Sequence, residues 1–299
     1  MPRATSATFL LHSSAKRLLA CWLALAWIAT SGGCASLPHS DLESYLAPSN
    51  YRNWKPNMAV LPYAKIRGDK VTVYNIRNCT YLDENTYVLD YYDHTFDLND
   101  IESVDFIVVP FKEVPSLAHT FLSFGFRNGR HLAVSVEVRL EQGETYSPIA
   151  GALHEYEIMY VVADERDVIR LRTEQYDADV YIYPTVATAA QARDLFLDVM
   201  RRVNELKKKP EFYDTFVNNC TTNIVAHINR LNPGRIPWNP TNLLTGYSDR
   251  VAYELGLLVD YGSFEETKQH AHLTESTDRT IDSLRFSQLI RTNGAAVIR

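Results

Sequence analysis

An α+β domain built on an antiparallel sheet is the fold class that the sequence predicts, and two patterns predict it. From residue 70 to residue 185, apolar and polar residues mostly alternate, which is the period of a strand. From residue 188 onward, apolar residues recur at helical spacing. Strands that come first and helices that follow favour antiparallel pairing. The composition, 46% hydrophobic and 22% charged over 299 residues, is that of a globular protein.

The predicted strands lie in six segments. The longest, residues 119–140, has the pattern of a hairpin that turns at Asn128-Gly129, a dipeptide typical of tight turns. A short helix is predicted after the strand that starts at residue 156. The other strand segments are residues 70–82, 86–98, 103–111, 156–162 and 177–185.

Three helices follow the strands. The first runs up to Pro210, a residue that cannot continue a helix. The second starts within "NNCTTNIVAHINRLNPG" and ends at Asn232-Pro233-Gly234, and the third lies within residues 246–261. The tail from about residue 267 is polar, and we expect it to be irregular. Apolar stripes identify the first two helices: Ala192, Leu195, Phe196, Val199, Val203 and Leu206, then Ile224, Val225, Ile228 and Leu231.

The N-terminus has the order of a bacterial export signal: a basic stretch without acids, the apolar run 18–30, and small residues before Cys34. "SGGC" resembles a lipobox, in which Cys34 is lipidated. Ser31 departs from the usual aliphatic residue, so an ordinary signal-peptidase site is the alternative. We therefore expect a signal peptide over 1–33, a tether over 34–57, a domain over 58–265 and a tail over 266–299. Ala35 after Cys34 predicts an outer-membrane lipoprotein on the periplasmic face.

Export leaves Cys79 and Cys220 as the cysteines of the mature domain, in an oxidising compartment. Cys220 follows Asn218 and Asn219, either of which suits a helix N-cap. The free N–H groups and the dipole of a first helical turn favour a thiolate. Cys220 is thus a nucleophile, half of a disulfide with Cys79, or an inert buried thiol. Histidines 94, 119, 131 and 154 remain as candidate bases.

Whole segments resemble one family. "NIRNCTY", "AHTFLSFGF", "LAVSVEVRLEQGETY", "YEIMYVVADERDVIRLRT", "VYIYP", "FYDTFVNNCTTNI" and "GYSDRVAYELGLL", spread over about 58–265, look like the Lnb N-terminal periplasmic domain family. That family is named for a bacterial lipoprotein N-acyltransferase. A histidine on an early strand and a cysteine on a later helix also resembles circularly permuted papain-like, NlpC-type folds.

The resemblance implies His119 as the base and Cys220 as the nucleophile. It further implies Glu137 as a catalytic residue, and it leaves Cys79 outside the site. Residues that the resemblance marks as substrate-binding or supporting residues are Asn219, Arg139, Glu165 and Arg166. The alternative for Glu165 and Arg166 is a solvated helix face with weak ion pairs.

The role of Glu137 depends on the hairpin register. A two-residue turn at Asn128-Gly129 pairs His119 with Val138 and puts Glu137 on the opposite face. A three-residue loop, 128–130, pairs Phe121 with Glu137 and brings His119 and Glu137 to one face. In the second register, Glu137 orients the ring of His119.

Three functions follow. The first is a membrane-tethered thiol acyltransferase or acyl hydrolase, with membrane lipids and lipoproteins as partners and an apolar slot lined by Phe121, Leu122, Phe124 and Phe126. The second is an NlpC-type peptidase or amidase with a polar groove. The third is a non-enzymatic envelope lipoprotein with a Cys79–Cys220 disulfide. A net charge of -6 argues against nucleic acid. No cofactor motif is present, and the histidines of "QHAH" lack further ligands for a metal.

Overall fold

Eight strands pair into one sheet, and all of its strand pairs except one are antiparallel. The computed structural model describes residues 47–83, 86–237, 244–273 and 283–292, and the fold below concerns the unit from Ser49 onward. The predicted signal peptide, Cys34 and the first part of the predicted tether lie outside the described residues.

The strands of the large sheet begin and end as follows: β1 Tyr63–Arg67, β2 Lys70–Arg77, β5 Tyr91–Asp97, β6 Ile101–Phe111, β7 Val114–Phe126, β8 His131–Arg139, β9 Glu157–Asp164 and β10 Tyr181–Pro184. Their order across the sheet is β1-β2-β9-β8-β7-β6-β10, with β5 also paired to β2. The parallel pair is β2 with β9, which meet at Arg77 and Ala163. Two short strands, β3 Thr80–Tyr81 and β4 Tyr87–Val88, pair separately. The strand-first, helix-later order that the sequence predicts is confirmed, and so is the α+β class.

Eight α-helices belong to the described part of the chain: α1 Pro56–Ala59, α2 Pro148–Ala152, α3 Glu165–Arg170, α4 Ala189–Lys208, α5 Cys220–Leu231, α6 Ser248–Glu254, α7 Phe264–Ala271 and α8 Ser283–Thr292. A π-helical turn, Leu171–Gln175, continues α3. Helix α4 begins with a capping box between Thr188 and Gln191 and ends just before Pro210, as the sequence predicts. None of these helices is long and apolar enough to cross a membrane.

Both faces of the sheet are covered, so the molecule has two cores. On one face, Leu122 and Phe124 of β7 pack in a cluster with Phe196 of α4 and Ile224 of α5. On the other face, Phe121 packs in a second cluster with Val168, Ile169, Phe286 and Ile290 of α3 and α8. Neighbouring residues of β7 alternate between these cores because successive side chains of a strand point to opposite faces.

Two of the predicted domain boundaries differ from the structure. Residues 49–57, expected to be tether, pack onto the domain: Trp54 is buried, and its backbone bridges to Glu141. The tail, expected to be irregular, contains α7 and α8, and Phe286 and Ile290 of α8 are buried. Both segments are short and polar on average, and a few apolar anchors that meet the sheet are sufficient to fix them.

Candidate active site

Cys220 is the first residue of α5, and Asn219 is its N-cap. The side chain of Asn219 accepts a hydrogen bond from the Thr222 N–H at 2.9 Å, and the Thr222 hydroxyl accepts one from the Asn219 N–H at 2.8 Å. This reciprocal capping box stabilises the first turn. The N–H groups of Cys220 and Thr221 lie in the first turn, where no carbonyl of the helix can accept from them, so they are available to a ligand oxygen.

The thiol of Cys220 is buried, with 5% of the residue exposed. Its sulfur lies 3.9 Å from the Ala118 carbonyl oxygen and 4.0 Å from the Thr221 hydroxyl. It also lines a cavity of about 550 Å³, which we call the thiol cavity. His119, Glu137, Arg172 and Tyr213 line the same cavity. The structure therefore brings three predicted residues, Cys220, His119 and Glu137, together with the N-cap Asn219.

His119 is held by a chain of hydrogen bonds. Its Nε2 lies 2.7 Å from the Ser135 hydroxyl, and that hydroxyl donates to Glu137 Oε1 at 2.9 Å. Arg172 Nη2 donates to the same carboxylate oxygen at 2.9 Å. Because the Ser135 hydroxyl donates its hydrogen to Glu137, its oxygen accepts a hydrogen bond from the Nε2–H of His119. This assignment leaves Nδ1 as the basic nitrogen of the ring.

The charges of this chain are fixed by burial and by Arg172. Desolvation and the nearby Arg172 cation together lower the pKa of His119 to about 3. The Glu137 carboxylate acts in the opposite direction, but its effect is smaller than that of Arg172. Burial would raise the pKa of Glu137, but Arg172 and Arg77 overcome burial and hold it at about 2. At neutral pH the site thus contains an ionised carboxylate and a neutral imidazole.

His119 and Cys220 reach the thiol cavity from opposite sides of β7. Cys220 packs with Ala118 in the first core, whereas His119 stacks on Phe121 in the second, with ring centroids 5.7 Å apart. Pairing between β7 and β8 stops at Phe121 with Ser135, while β8 stays paired to β9 as far as Arg139. The two strands separate beyond that point, and the thiol cavity lies in the opening.

The hairpin register is neither of the two that the sequence allowed. Phe121 pairs with Ser135, and the Phe126 N–H bonds to the Arg130 carbonyl across a three-residue loop, 127–129. The loop is thus one residue earlier than the predicted 128–130. This shift moves the partner of Phe121 by two positions, which preserves the face. His119 and Glu137 consequently share a face, with Ser135 between them.

The remaining predicted residues lie elsewhere. Arg139 is 2% exposed and donates to the carbonyls of Met58 and Ala59 and to the Asn50 side chain. Its guanidinium also covers the Trp54 ring at 4.2 Å. Arg139 thus anchors the segment before β1, and it is absent from the lining of the thiol cavity. Burial lowers the pKa of Arg139 to about 10.

Glu165 is fully buried and is not part of a solvated helix face. Its carboxylate bonds to Ser123 and is paired with Arg291 of α8 at 2.6 Å. Arg166 donates to the Asn78 side chain at 2.7 Å. Neither Glu165 nor Arg166 lines the thiol cavity.

The alternative of a Cys79–Cys220 disulfide is not seen in the structure, in which Cys79 and Cys220 are both free thiols. Cys79 packs in a separate small cluster with Tyr81 and Leu171. Burial, together with the Asp167 carboxylate, raises the pKa of the Cys79 thiol to about 11. Cys79 does not line the thiol cavity, whereas Cys220 does.

Sequence reasoning missed Ser135 and Arg172. Ser135 had a signal, since it stands two residues before Glu137 and therefore on the same face of β8. Arg172 had none, because its contact with Glu137 joins the π-helical turn to a strand 35 residues earlier. The predicted apolar slot is also wrong in part. Phe121, Phe124 and Phe126 are core residues, and only Leu122 lines an apolar cavity, which is separate from the thiol cavity.

Comparison with known proteins identifies a family. A family model described as the Lnb N-terminal periplasmic domain matches residues 87–246, more than half of the chain. The matched span includes His119, Ser135, Glu137, Arg172 and Cys220. No curated protein matches the chain, and no solved structure matches it.

Proposed function

The chain belongs to the Lnb N-terminal periplasmic domain family, and from that premise we propose that it is an acyl-transferring or acyl-hydrolysing enzyme of the periplasm that works through Cys220. One observation carries the proposal. A thiol at a helix N-terminus shares a cavity with a histidine whose ring is oriented by a serine and a carboxylate. Nucleophile, base and orienting group are the elements of thiol catalysis.

The first half-reaction forms an acyl-enzyme. His119 Nδ1 takes the proton of the Cys220 thiol while the sulfur attacks the carbonyl carbon of an ester. A carbon–sulfur bond forms, and the carbonyl oxygen becomes an oxyanion. When the intermediate collapses, the ester carbon–oxygen bond breaks, and His119 returns the proton to the departing alcohol. The product is a thioester on Cys220 and a free alcohol.

The first turn of α5 supplies the groups that stabilise the oxyanion. The N–H groups of Cys220 and Thr221 are uncapped, and the positive end of the helix dipole lies there. Donors that are already in place when charge develops are the strongest single contribution in acyl transfer. The N-cap bonds of Asn219 keep this turn in position.

His119 keeps the bond of its Nε2 to Ser135 and has to bring Nδ1 to the sulfur of Cys220 when substrate binds. In the structure its Nε2 bonds to Ser135, and the sulfur contacts Ala118 and Thr221. Catalytic hydrogen bonds are often long or unmade before substrate arrives. The imidazole is neutral, so the lone pair of Nδ1 is free to accept the thiol proton during the attack.

The second half-reaction sets the outcome. An amine that attacks the thioester gives an N-acylated product, as with the N-terminal cysteine of a lipoprotein, and water gives hydrolysis. A phospholipid is the proposed acyl donor, and the lipid anchor predicted at Cys34 suits a donor that resides in the membrane.

A second candidate is an NlpC-type peptidase or amidase that acts on cell-wall peptide. It is favoured by the polar groups around the thiol cavity, which include Lys112, Glu113 and Gln175. The same thiol chemistry would then cleave an amide. The acyl donor offered in the experiment below distinguishes the two.

The test uses residues 35–299, purified without reductant. Iodoacetamide alkylation of each cysteine is followed at pH 7 by peptide mass mapping. We expect Cys220 to react at least tenfold faster than Cys79, and His119→Ala to slow only Cys220. The protein is then incubated with phospholipid vesicles or with a cell-wall peptide.

A mass gain of one acyl chain on Cys220, released by hydroxylamine, supports acyl transfer from lipid. Cleavage of the peptide without an acyl adduct supports the amidase. Equal alkylation of both cysteines, unaffected by His119→Ala, would refute the thiol mechanism altogether.

A further inference from the structure

A second cavity lies beside α5, on the side that carries Ile224 and Ile228. Its volume is about 400 Å³, and β6, β7, α4, α5 and α6 enclose it. We call it the apolar cavity, because aliphatic and aromatic side chains supply most of its wall. Its lining includes Phe106, Leu122, Leu195, Ile224, Ile228 and Val251. A volume of this size is in the range of small-molecule sites.

The apolar cavity and the thiol cavity are neighbours along β7. Ala118, Thr120 and Leu122 succeed one another on one face of the strand. Ala118 lines the thiol cavity, Leu122 lines the apolar cavity, and Thr120 between them bonds to the Thr221 hydroxyl at 3.0 Å. On α5 the same division separates Cys220 from Thr221. The Thr120–Thr221 hydroxyl pair therefore lies between Ala118 and Leu122 along this face of β7.

One polar atom in the wall lacks a partner. The hydroxyl oxygen of Ser248, at the start of α6, is buried and has no hydrogen bond within the described ranges. The charged residues Asp194 and Arg235 belong to the wall too, but Arg235 is engaged with the Leu255 carbonyl.

We propose that the apolar cavity holds the acyl chain of the ester whose carbonyl carbon Cys220 attacks. The proposal rests on the proposed function and adds to it the location of the chain. A long aliphatic chain gains free energy when it leaves water for an apolar wall, whereas a peptide would leave its amide groups unpaired there. The Thr120–Thr221 pair opens when the chain enters, at the cost of one hydrogen bond between neutral groups.

The first arm of the test measures chain selectivity. Val225 and Ala252 line the apolar cavity, so Val225→Phe and Ala252→Phe fill it. Ala226→Phe is the matched control, since Ala226 is exposed on the same helix. Acylation rates are measured with p-nitrophenyl acetate and p-nitrophenyl decanoate. We expect each filled variant to lose at least tenfold on decanoate while staying within twofold of wild type on acetate.

The second arm needs no catalysis. Binding of a fluorescent long-chain fatty acid is measured with Cys220→Ala, alone and combined with Val225→Phe, Ala252→Phe or Ala226→Phe. Both filling substitutions are expected to weaken binding at least tenfold, and the control is expected to leave it unchanged. Thermal melting verifies that every variant is folded.

The outcomes separate the two proposals. If no ester acylates Cys220 but the filled variants lose fatty-acid binding, the thiol mechanism fails and the apolar cavity remains a lipid site. If acetate and decanoate are affected equally and fatty-acid binding survives filling, the acyl-chain site is refuted while the thiol mechanism stands.

Discussion

Ser135 is the residue through which the carboxylate of Glu137 acts on His119. Glu137 Oε1 and His119 Nε2 are 3.9 Å apart, too far for a direct hydrogen bond, and the Ser135 hydroxyl bridges them. The serine thus fixes both the orientation of the imidazole and which of its nitrogens carries the proton.

Removing the bridge is expected to slow acylation without unfolding the protein. Ser135→Ala should lower the acylation rate of Cys220 tenfold to hundredfold, which corresponds to about 1.4 to 2.7 kcal/mol, the size of one hydrogen bond to a charged group. The pH profile of the rate should shift as well, since the ring loses its fixed tautomer.

Ser123→Ala is the matched control for that substitution. Ser123 is also a fully buried serine of the same sheet face that bonds to a carboxylate, Glu165, but it is remote from the thiol cavity. If both variants slow acylation equally, Ser135 has no positioning role.

Protonation of His119 is expected to make the domain sensitive to mild acid. The folded-state pKa is about 3, below the ordinary 6.5, so between these values the unfolded chain binds a proton that the native chain does not. Stability is therefore present above pH 6.5 and is lost as the pH falls. For one histidine the loss between pH 7.5 and pH 5 is about 2 kcal/mol.

Urea unfolding at pH 7.5 and at pH 5 measures this loss. His119→Gln should reduce the loss of stability by about 2 kcal/mol relative to wild type. Glu137, with a pKa of about 2 against an ordinary 4.5, adds a loss in the same direction only at lower pH. An unchanged pH dependence in His119→Gln would mean that the native histidine is protonated near its ordinary pKa.

At the scale of elements, the first turn of α5 both stabilises its helix and holds the Cys220 thiol in place. Its capping box stabilises the helix, as the box of Thr188 and Gln191 does for α4. In α5 the same turn also carries the thiol that lines the thiol cavity, and its first N–H groups have no intrahelical acceptor. The separation of β7 from β8 completes the arrangement, because it gives a side chain on the far face of β7 access to that turn.

Two cap substitutions distinguish these tasks. Asn219→Ala and Thr188→Ala should each destabilise the domain by about 1 kcal/mol, the usual cost of losing an N-cap. Only Asn219→Ala should also slow alkylation of Cys220, since only that cap holds the first turn of α5. The measurements are urea unfolding and iodoacetamide rates at pH 7. Equal alkylation in the two variants would contradict a role of the capped turn in reactivity.

For the whole molecule, α8 closes the second core and neutralises charge inside it. Arg291 pairs with Asp105 and Glu165, each at 2.6 Å, and both carboxylates are buried. These contacts join the end of the chain to β6 and to the start of α3. Without Arg291, two like charges would remain unpaired in the interior.

Arg291→Met should therefore destabilise the domain by about 3 kcal/mol or more, because it leaves buried carboxylates uncompensated. The control is Arg127→Met. Arg127 also faces two carboxylates, Asp100 and Glu102, but its side chain is 65% exposed, so we expect a change within about 1 kcal/mol. Urea unfolding measures both, and similar values would show that α8 contributes little to the fold.

The sequence by itself determined the features that depend on residues close together in the chain. The N-cap preference of asparagine placed Cys220 at a helix start, and strand-first order gave the α+β class. The hydrophobic period and the capping residues each belong to one element, so they can be recognised without the rest of the chain. The family resemblance pointed to His119, which lines the same cavity as Cys220.

Tertiary structure decided the rest, because those features depend on residues far apart in sequence. The register of β7 and β8, the contact of Arg172 with Glu137, and the docking of α8 through Arg291 all join distant segments. A one-residue change in a loop changes each strand pairing, and no local pattern records it. The apolar cavity, formed where five elements meet, is likewise a property of packing alone.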